Sequence, residues 1–162
     1  MDKLFKMYDF IIESIIAVFF AIMVILLFAE VISRFIFNFP IMWSEEIGRY
    51  LFIWIVYLGS SIAFIKKRHL KVDFLVRKIN EPYSIYLEVI LLSIIMIFLF
   101  FVFLYGLKYI GIYWNTPAYS IKYIKLGWVY ASVPIGSIFM VLNLIRIILP
   151  ILNKIRKGMK LI

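Results

Sequence analysis

Charged side chains that recur at helical spacing are the groups through which this chain could act. Glu30 precedes Arg34 by four positions, and Glu45 and Glu46 precede Arg49 by four and three, so each set can pair along one helix face. Two kinds of chemistry suit such groups. A carboxylate in the middle of a membrane helix can carry a proton or hold an ion, whereas one at a helix end offsets the positive pole of the dipole or anchors at an interface. Ser44 stands directly before Glu45, the order of an N-cap followed by acidic first-turn residues, which predicts a helix starting there. Spacing alone is compatible with both capping and a functional role.

Other chemistry-bearing residues are few. The sequence has no cysteine and one histidine, His69, which removes disulfides, thiolate metal sites, cysteine nucleophiles and a bis-histidine haem within one chain. His69 lies beside Lys66, Lys67 and Arg68, where an imidazole reads as an interfacial polar residue rather than a proton carrier or ligand. No catalytic residue, substrate-binding residue, metal site or cofactor is expected, and the chain does not read as an enzyme.

Composition sets the elements that must position these residues. Of 162 residues, 65% are hydrophobic, against ~45–50% in an ordinary soluble domain. The mean hydropathy is +1.04. A helix needs ~20 apolar residues to cross the hydrocarbon core, and four runs qualify, at about 10–33, 47–65, 89–107 and 126–145. They lack the period-2 alternation of barrel strands, and a backbone in lipid must satisfy its own hydrogen bonds. The chain is therefore expected to be an all-α integral membrane protein with four transmembrane helices, one membrane domain over residues 1–162. Its balance of 18 Lys+Arg against 9 Asp+Glu would suggest nucleic acid in a soluble protein, but membrane orientation accounts for it, so no nucleic-acid partner is expected.

Orientation follows from where the cations lie. Lys3 and Lys6, the run Lys66, Lys67, Arg68, Lys71, Arg77 and Lys78, and the tail residues Lys154, Arg156, Lys157 and Lys160 outweigh Arg34, Lys108, Lys122 and Lys125 in the other two links. This predicts cytoplasmic termini and a cytoplasmic 66–80 link. Span one carries Glu13 and Glu30 and lacks a small-x-small cleavage site, so it reads as an uncleaved anchor.

Short amphipathic interfacial helices are expected to accompany the spans. Asp2, Lys6, Asp9 and Glu13 form one stripe of an N-terminal helix that bends or continues into span one and rests on lipid or on a partner subunit. In the 66–80 link, Asp73, Arg77 and Asn80 oppose Val72, Leu75, Val76 and Ile79. The link between spans three and four is rich in rings. Tyr105, Tyr109 and Tyr113 step by four, so span three should run on until Asn115-Thr116-Pro117 breaks it. Rings here serve an interfacial belt, and Tyr113, Trp114, Tyr119 and Tyr123 are also candidates for docking an outside partner. Ser132 and Gly136 flank Pro134 in span four, a close-packing face with a kink, and Gly59 with Ala63 makes a weaker small pair in span two.

Trp43-Ser44-Glu45-Glu46 with Arg49, after Arg34-Phe35 and Phe39-Pro40, resembles the signature of the small membrane (Q) subunit of TRAP transporters, the tripartite ATP-independent periplasmic family. The likeness continues through Phe52, Trp54, Gly59, His69, Val72-Asp73, Trp128-Val129-Tyr130 and Pro134-Ile135-Gly136. The stretch Tyr119–Lys125 departs from it, being more basic than the small, apolar family pattern. The resemblance implies a scaffold in the bacterial inner membrane that transports nothing alone. Its partners would be a large permease (M) subunit, which performs sodium-coupled uptake of an organic acid, a periplasmic substrate-binding (P) protein, and membrane lipids. Sodium coupling would belong to the large subunit. Arg34, Trp43, Glu45, Glu46, Arg49 and Trp54 become candidates for subunit packing. The rival reading is a self-sufficient proton-coupled exporter acting as a homodimer through Glu13 or Glu30. A redox bundle is a further alternative without a ligand set.

Overall fold

The computed structural model describes residues 2–66 and 83–158. His69 and the amphipathic stretch at 72–80 lie outside the described residues. The chain forms α1 (Asp2–Phe35), α2 (Met42–Lys66), α3 (Tyr83–Tyr113), the short α4 (Leu126–Tyr130) and α5 (Ser132–Gly158). Four stretches are long and apolar enough to cross a membrane: Phe5–Phe35, Met42–Ile65, Ile85–Tyr113 and Leu126–Asn153. The all-α membrane architecture read from the sequence is therefore present.

Each helix overruns its expected span. The hydrophobic run marks only the lipid-immersed part, whereas backbone hydrogen bonding continues through the interface, where Lys, Tyr and Asp are tolerated. The 31 residues of α3 extend about 46 Å at the helical rise, well beyond the ~30 Å hydrocarbon core. As expected, α3 ends at Tyr113, just before Asn115-Thr116-Pro117.

Ahead of Pro134 the helix is interrupted for one residue between α4 and α5, at Ala131, whose backbone angles stay helical. Pro134 has no N–H to give the Tyr130 carbonyl. Helical bonds persist on both sides, from Ala131 N–H to Gly127 at 3.0 Å and from Ile135 N–H to Ala131 at 3.2 Å.

The long helices pack in the order α1, α2, α5, α3, a row in which α1 does not approach α3. Leu92 and Leu99 of α3 bury against Met140, Leu144, Ile147 and Ile151 of α5. A second cluster joins Ile12 of α1 to Leu58 and Ile62 of α2, with Phe139 of α5 against it. At the centre of the row, a Cβ on Gly136 would meet Tyr57 Cβ at 2.7 Å, so α2 and α5 approach closely only because that position lacks a side chain. Gly59 differs from its expected role: a Cβ there would meet nothing within 4 Å, so it is no packing contact within the described residues.

Of the two courses open to the N-terminal amphipathic segment, it continues into the first span, within α1. Ile12 is 3% exposed against α2, and the Tyr8 ring meets Phe139 edge-on at 5.7 Å. The stripe that suggested a lipid surface thus turns partly toward the chain's own last helix. Asp9 explains why, because its charge has an arginine to meet there.

Candidate functional site

Two polar clusters sit at opposite ends of the helices. Asp9 and Glu30 are separated by 21 residues of α1, about 32 Å at the helical rise, close to one hydrocarbon thickness. The turn end holds Glu30 and the α1–α2 and α3–α4 links, and the terminal end holds Asp9 and the last turns of α5. Residues 14–29, 50–65, 89–107 and 126–145 between them contain no Asp, Glu, Lys or Arg.

At the turn end, Ser44 is 1% exposed, with its hydroxyl 2.9 Å from Glu30 Oε2 and 2.7 Å from the Ile41 carbonyl. This corrects the N-cap assignment. The helix begins at Met42, so Ser44 is its third residue, and its single proton serves acceptors on α1 and on the preceding turn. The side chain consequently ties α1 to α2.

Glu46 fastens a more distant segment. Its Oε1 accepts the Tyr119 N–H at 2.8 Å and the Tyr50 hydroxyl at 2.5 Å, and its Oε2 accepts the Ser120 N–H at 2.6 Å. Bonds from neutral donors to an ionised carboxylate are about twice as strong as neutral ones. The link they hold closes on itself, with Ala118 N–H to Ile124 at 2.8 Å and Leu126 N–H to Thr116 at 2.9 Å. Ala118 is buried beneath it, while Tyr119 and Tyr123 are 95% and 97% exposed at its tip.

Arg49 does less than its spacing suggested. It lies 3.5 Å from Glu45 Oε1, and both side chains are mostly exposed. Among the described residues it makes no ion pair with Glu46, and Glu30 makes none with Arg34. Both oxygens of Glu46 are already engaged by Tyr50 and the Tyr119–Ser120 amides, and one oxygen of Glu30 by Ser44. Glu30, Arg34, Glu45, Glu46 and Arg49 line one open groove of about 470 Å³ together with Pro40, Met42, Tyr119 and Ser120.

The remaining candidates divide. Trp54 is half-buried and meets Phe19 of α1 edge-on at 6.4 Å, so its ring serves packing within the chain. Trp43 is 43% exposed at the start of α2. Tyr113 stacks on Tyr109 at 6.1 Å and lies 4.9 Å from Tyr130, and Trp114 lies 5.8 Å from Trp128. These rings form the base of the link, with Tyr119 and Tyr123 beyond them.

The terminal end contains a network that the sequence reading passed over. Arg146 holds Asp9 with both guanidinium arms, at 2.8 and 3.2 Å, and donates to Asn143 Oδ1 at 3.0 Å. Its guanidinium also lies 4.2 Å from the Phe5 ring centre. Asn143 is fully buried and donates to the Ser61 carbonyl at 2.7 Å, so one arginine and one amide join α1, α2 and α5. The available signal was Asn143 three positions before Arg146 in an otherwise apolar run, which puts both on one helix face.

Chemically, the hydrogen bonds of Glu46 with Tyr119 and Ser120, of Glu30 with Ser44 and of Arg146 with Asp9 are charge-assisted and join separate elements of the chain. Among the described residues no group of His, Asp or Glu could hold a metal ion.

Residues 23–153 match the family described as tripartite ATP-independent periplasmic transporters, DctQ component. The chain is 28% identical over 121 residues to the sialic acid TRAP transporter permease protein SiaT of Haemophilus influenzae, covering 75% of this chain and 20% of that protein. A putative TRAP transporter small permease protein of the same species is 48% identical over 59 residues, 36% of this chain and 37% of that one. The chain thus spans well under half the length of these two relatives. The sialic acid TRAP transporter small permease protein SiaQ of Vibrio cholerae is 28% identical over 135 residues, 80% of this chain and 75% of that protein. With four membrane-crossing helices, this is a multi-pass protein of the bacterial inner membrane. The match across residues 23–153 decides the family: the chain belongs to the DctQ component of the tripartite ATP-independent periplasmic transporters, the TRAP small permease subunits.

Proposed function

We propose that this chain is the non-substrate-binding scaffold of a TRAP transporter. It supports a large permease subunit, which performs sodium-coupled uptake of an organic acid that a periplasmic binding protein delivers. The observation that carries this reading is the charge-free middle of all four spans, combined with polar clusters engaged in ties between the chain's own elements. A coupled carrier acting alone needs acids or unwound backbone near the membrane midplane. Glu30, an acid the rival exporter reading would use, instead bonds Ser44 in the closing turns of α1. Exposed apolar residues along α1, such as Phe10, Ile25 and Phe28, supply a face for a large membrane partner or for lipid.

In this reading Tyr119 and Tyr123, held out by the Glu46 ties, face the periplasm and help receive the delivery protein, and both termini are cytoplasmic. Two experiments test it. A tagged chain, solubilised gently, brings down a large multi-span polypeptide identifiable by mass. Vesicles containing this chain alone show no solute accumulation under a sodium or proton gradient, and accumulation there would end the scaffold reading.

A further inference from the structure

Once the groups already engaged are set aside, the groove at the turn end retains a distinct pattern of charge. Arg34 is exposed in the last turn of α1 and has no acceptor among the described residues, and Arg49 has only its exposed pairing with Glu45 at 3.5 Å. Facing the same groove are Glu30, whose Oε1 has no hydrogen-bond partner among the described residues, and Glu45. Two cations and two carboxylates around one opening suit neither a simple anion nor a metal ion. They suit a ligand that carries both signs a few ångströms apart. A phosphodiester fits the arginine forks, and an ammonium with N–H donors fits the carboxylates.

The position of the groove names the source of such a ligand. Its charged residues sit where α1 finishes and α2 starts, and Tyr119 and Ser120 of the α3–α4 link complete it. Around it Phe35, Phe37, Phe39 and Met42 are 75%, 71%, 69% and 77% exposed, apolar side chains that belong at the boundary of headgroups and acyl chains. At the ~30 Å³ that liquid water allots each heavy atom, the roughly eight non-hydrogen atoms of a phosphoethanolamine group need about 240 Å³. The groove offers about 470 Å³. We propose that it binds the headgroup of a phospholipid bearing a primary ammonium, an ethanolamine phosphodiester, with Arg34 and Arg49 on the phosphate and Glu30 and Glu45 on the ammonium. The proposal requires only that this end lies at a membrane surface, whichever side it faces, and it stands or falls independently of the scaffold role.

Native mass spectrometry of the purified full chain tests it, with phosphatidylethanolamine, phosphatidylcholine and phosphatidylglycerol of matched acyl chains offered together. The ethanolamine lipid is retained about tenfold over the other two, since choline has no N–H to give and the glycerol headgroup no positive charge. Glu45→Gln removes a charged acceptor for the ammonium and lowers the ethanolamine preference toward that for choline, Arg34→Ala weakens retention of all three lipids through their shared phosphate, and Lys108→Ala, outside the groove, changes neither. Circular dichroism checks helicity, and should Glu45→Gln misfold, Glu30→Gln replaces it with the same expected loss of preference. Equal retention of all three lipids, a preference for the glycerol lipid, or an ethanolamine preference that the carboxylate variants leave unchanged overturns the proposal. So does release of the bound lipid when the purified large permease subunit is added, because the groove is then a protein interface.

Discussion

Glu46 and Arg49 stand three residues apart, yet the structure gives them very different weights. Glu46 accepts hydrogen bonds from Tyr50 and from two main-chain amides of a distant link, whereas Arg49 joins one exposed carboxylate at 3.5 Å. A hydrogen bond to a charged group contributes about 1.5–3 kcal/mol, and an exposed i,i+4 pair about 0.3–0.5. Glu46→Ala therefore frees the 116–125 link, and amide exchange at Tyr119 and Ser120 rises at least tenfold by mass-resolved hydrogen exchange. Arg49→Ala changes thermal stability by less than about 0.5 kcal/mol, and a comparable loss in both variants would refute this ranking. The acidic cluster was legible in the sequence as a helix start with i,i+4 partners. Its true partners were not, because Tyr119 and Ser120 contribute backbone N–H groups, which carry no residue-type signal.

Between elements, a small number of contacts keeps the row together. Gly136 admits Tyr57, so Gly136→Val forces α2 and α5 apart and costs about 1–3 kcal/mol, as overpacking does elsewhere. Gly59→Ala meets open space and is neutral or slightly stabilising, given Ala's helix propensity. Denaturation midpoints in detergent distinguish the two, and an equal effect at both sites would refute the packing assignment. Asp9→Asn removes the charge facing Arg146 and costs about 1–3 kcal/mol, since the pair is mostly but not fully buried. The exchanged pair, Asp9→Arg with Arg146→Asp, recovers part of that loss. No recovery would mean that Arg146 is held mainly by Asn143 and Phe5. Sequence pattern located the four spans because hydropathy reports lipid immersion directly. It missed the Asp9–Arg146–Asn143 network because Asp9 and Arg146 lie 137 residues apart, and the Asn143–Arg146 spacing alone does not point to α1.

At the scale of the whole molecule, the middle of every span carries no Asp, Glu, Lys or Arg, which is why the scaffold reading and the predicted sidedness belong together. Single cysteines at Lys66 and Lys154 react with impermeant reagents from the cytoplasm, and one at Lys122 reacts from the periplasm. The reverse pattern would invert the assembly and remove the periplasmic role of Tyr119 and Tyr123. The Asp9–Arg146 contact also bears on how the protein is made. The first helix leaves the ribosome with its carboxylate unmatched, and the cation that answers it is synthesised only with the last helix. The Asp9 tie must therefore wait until Arg146 is made, and a nascent chain halted before it would hold α1 through α2 alone, with the carboxylate unanswered.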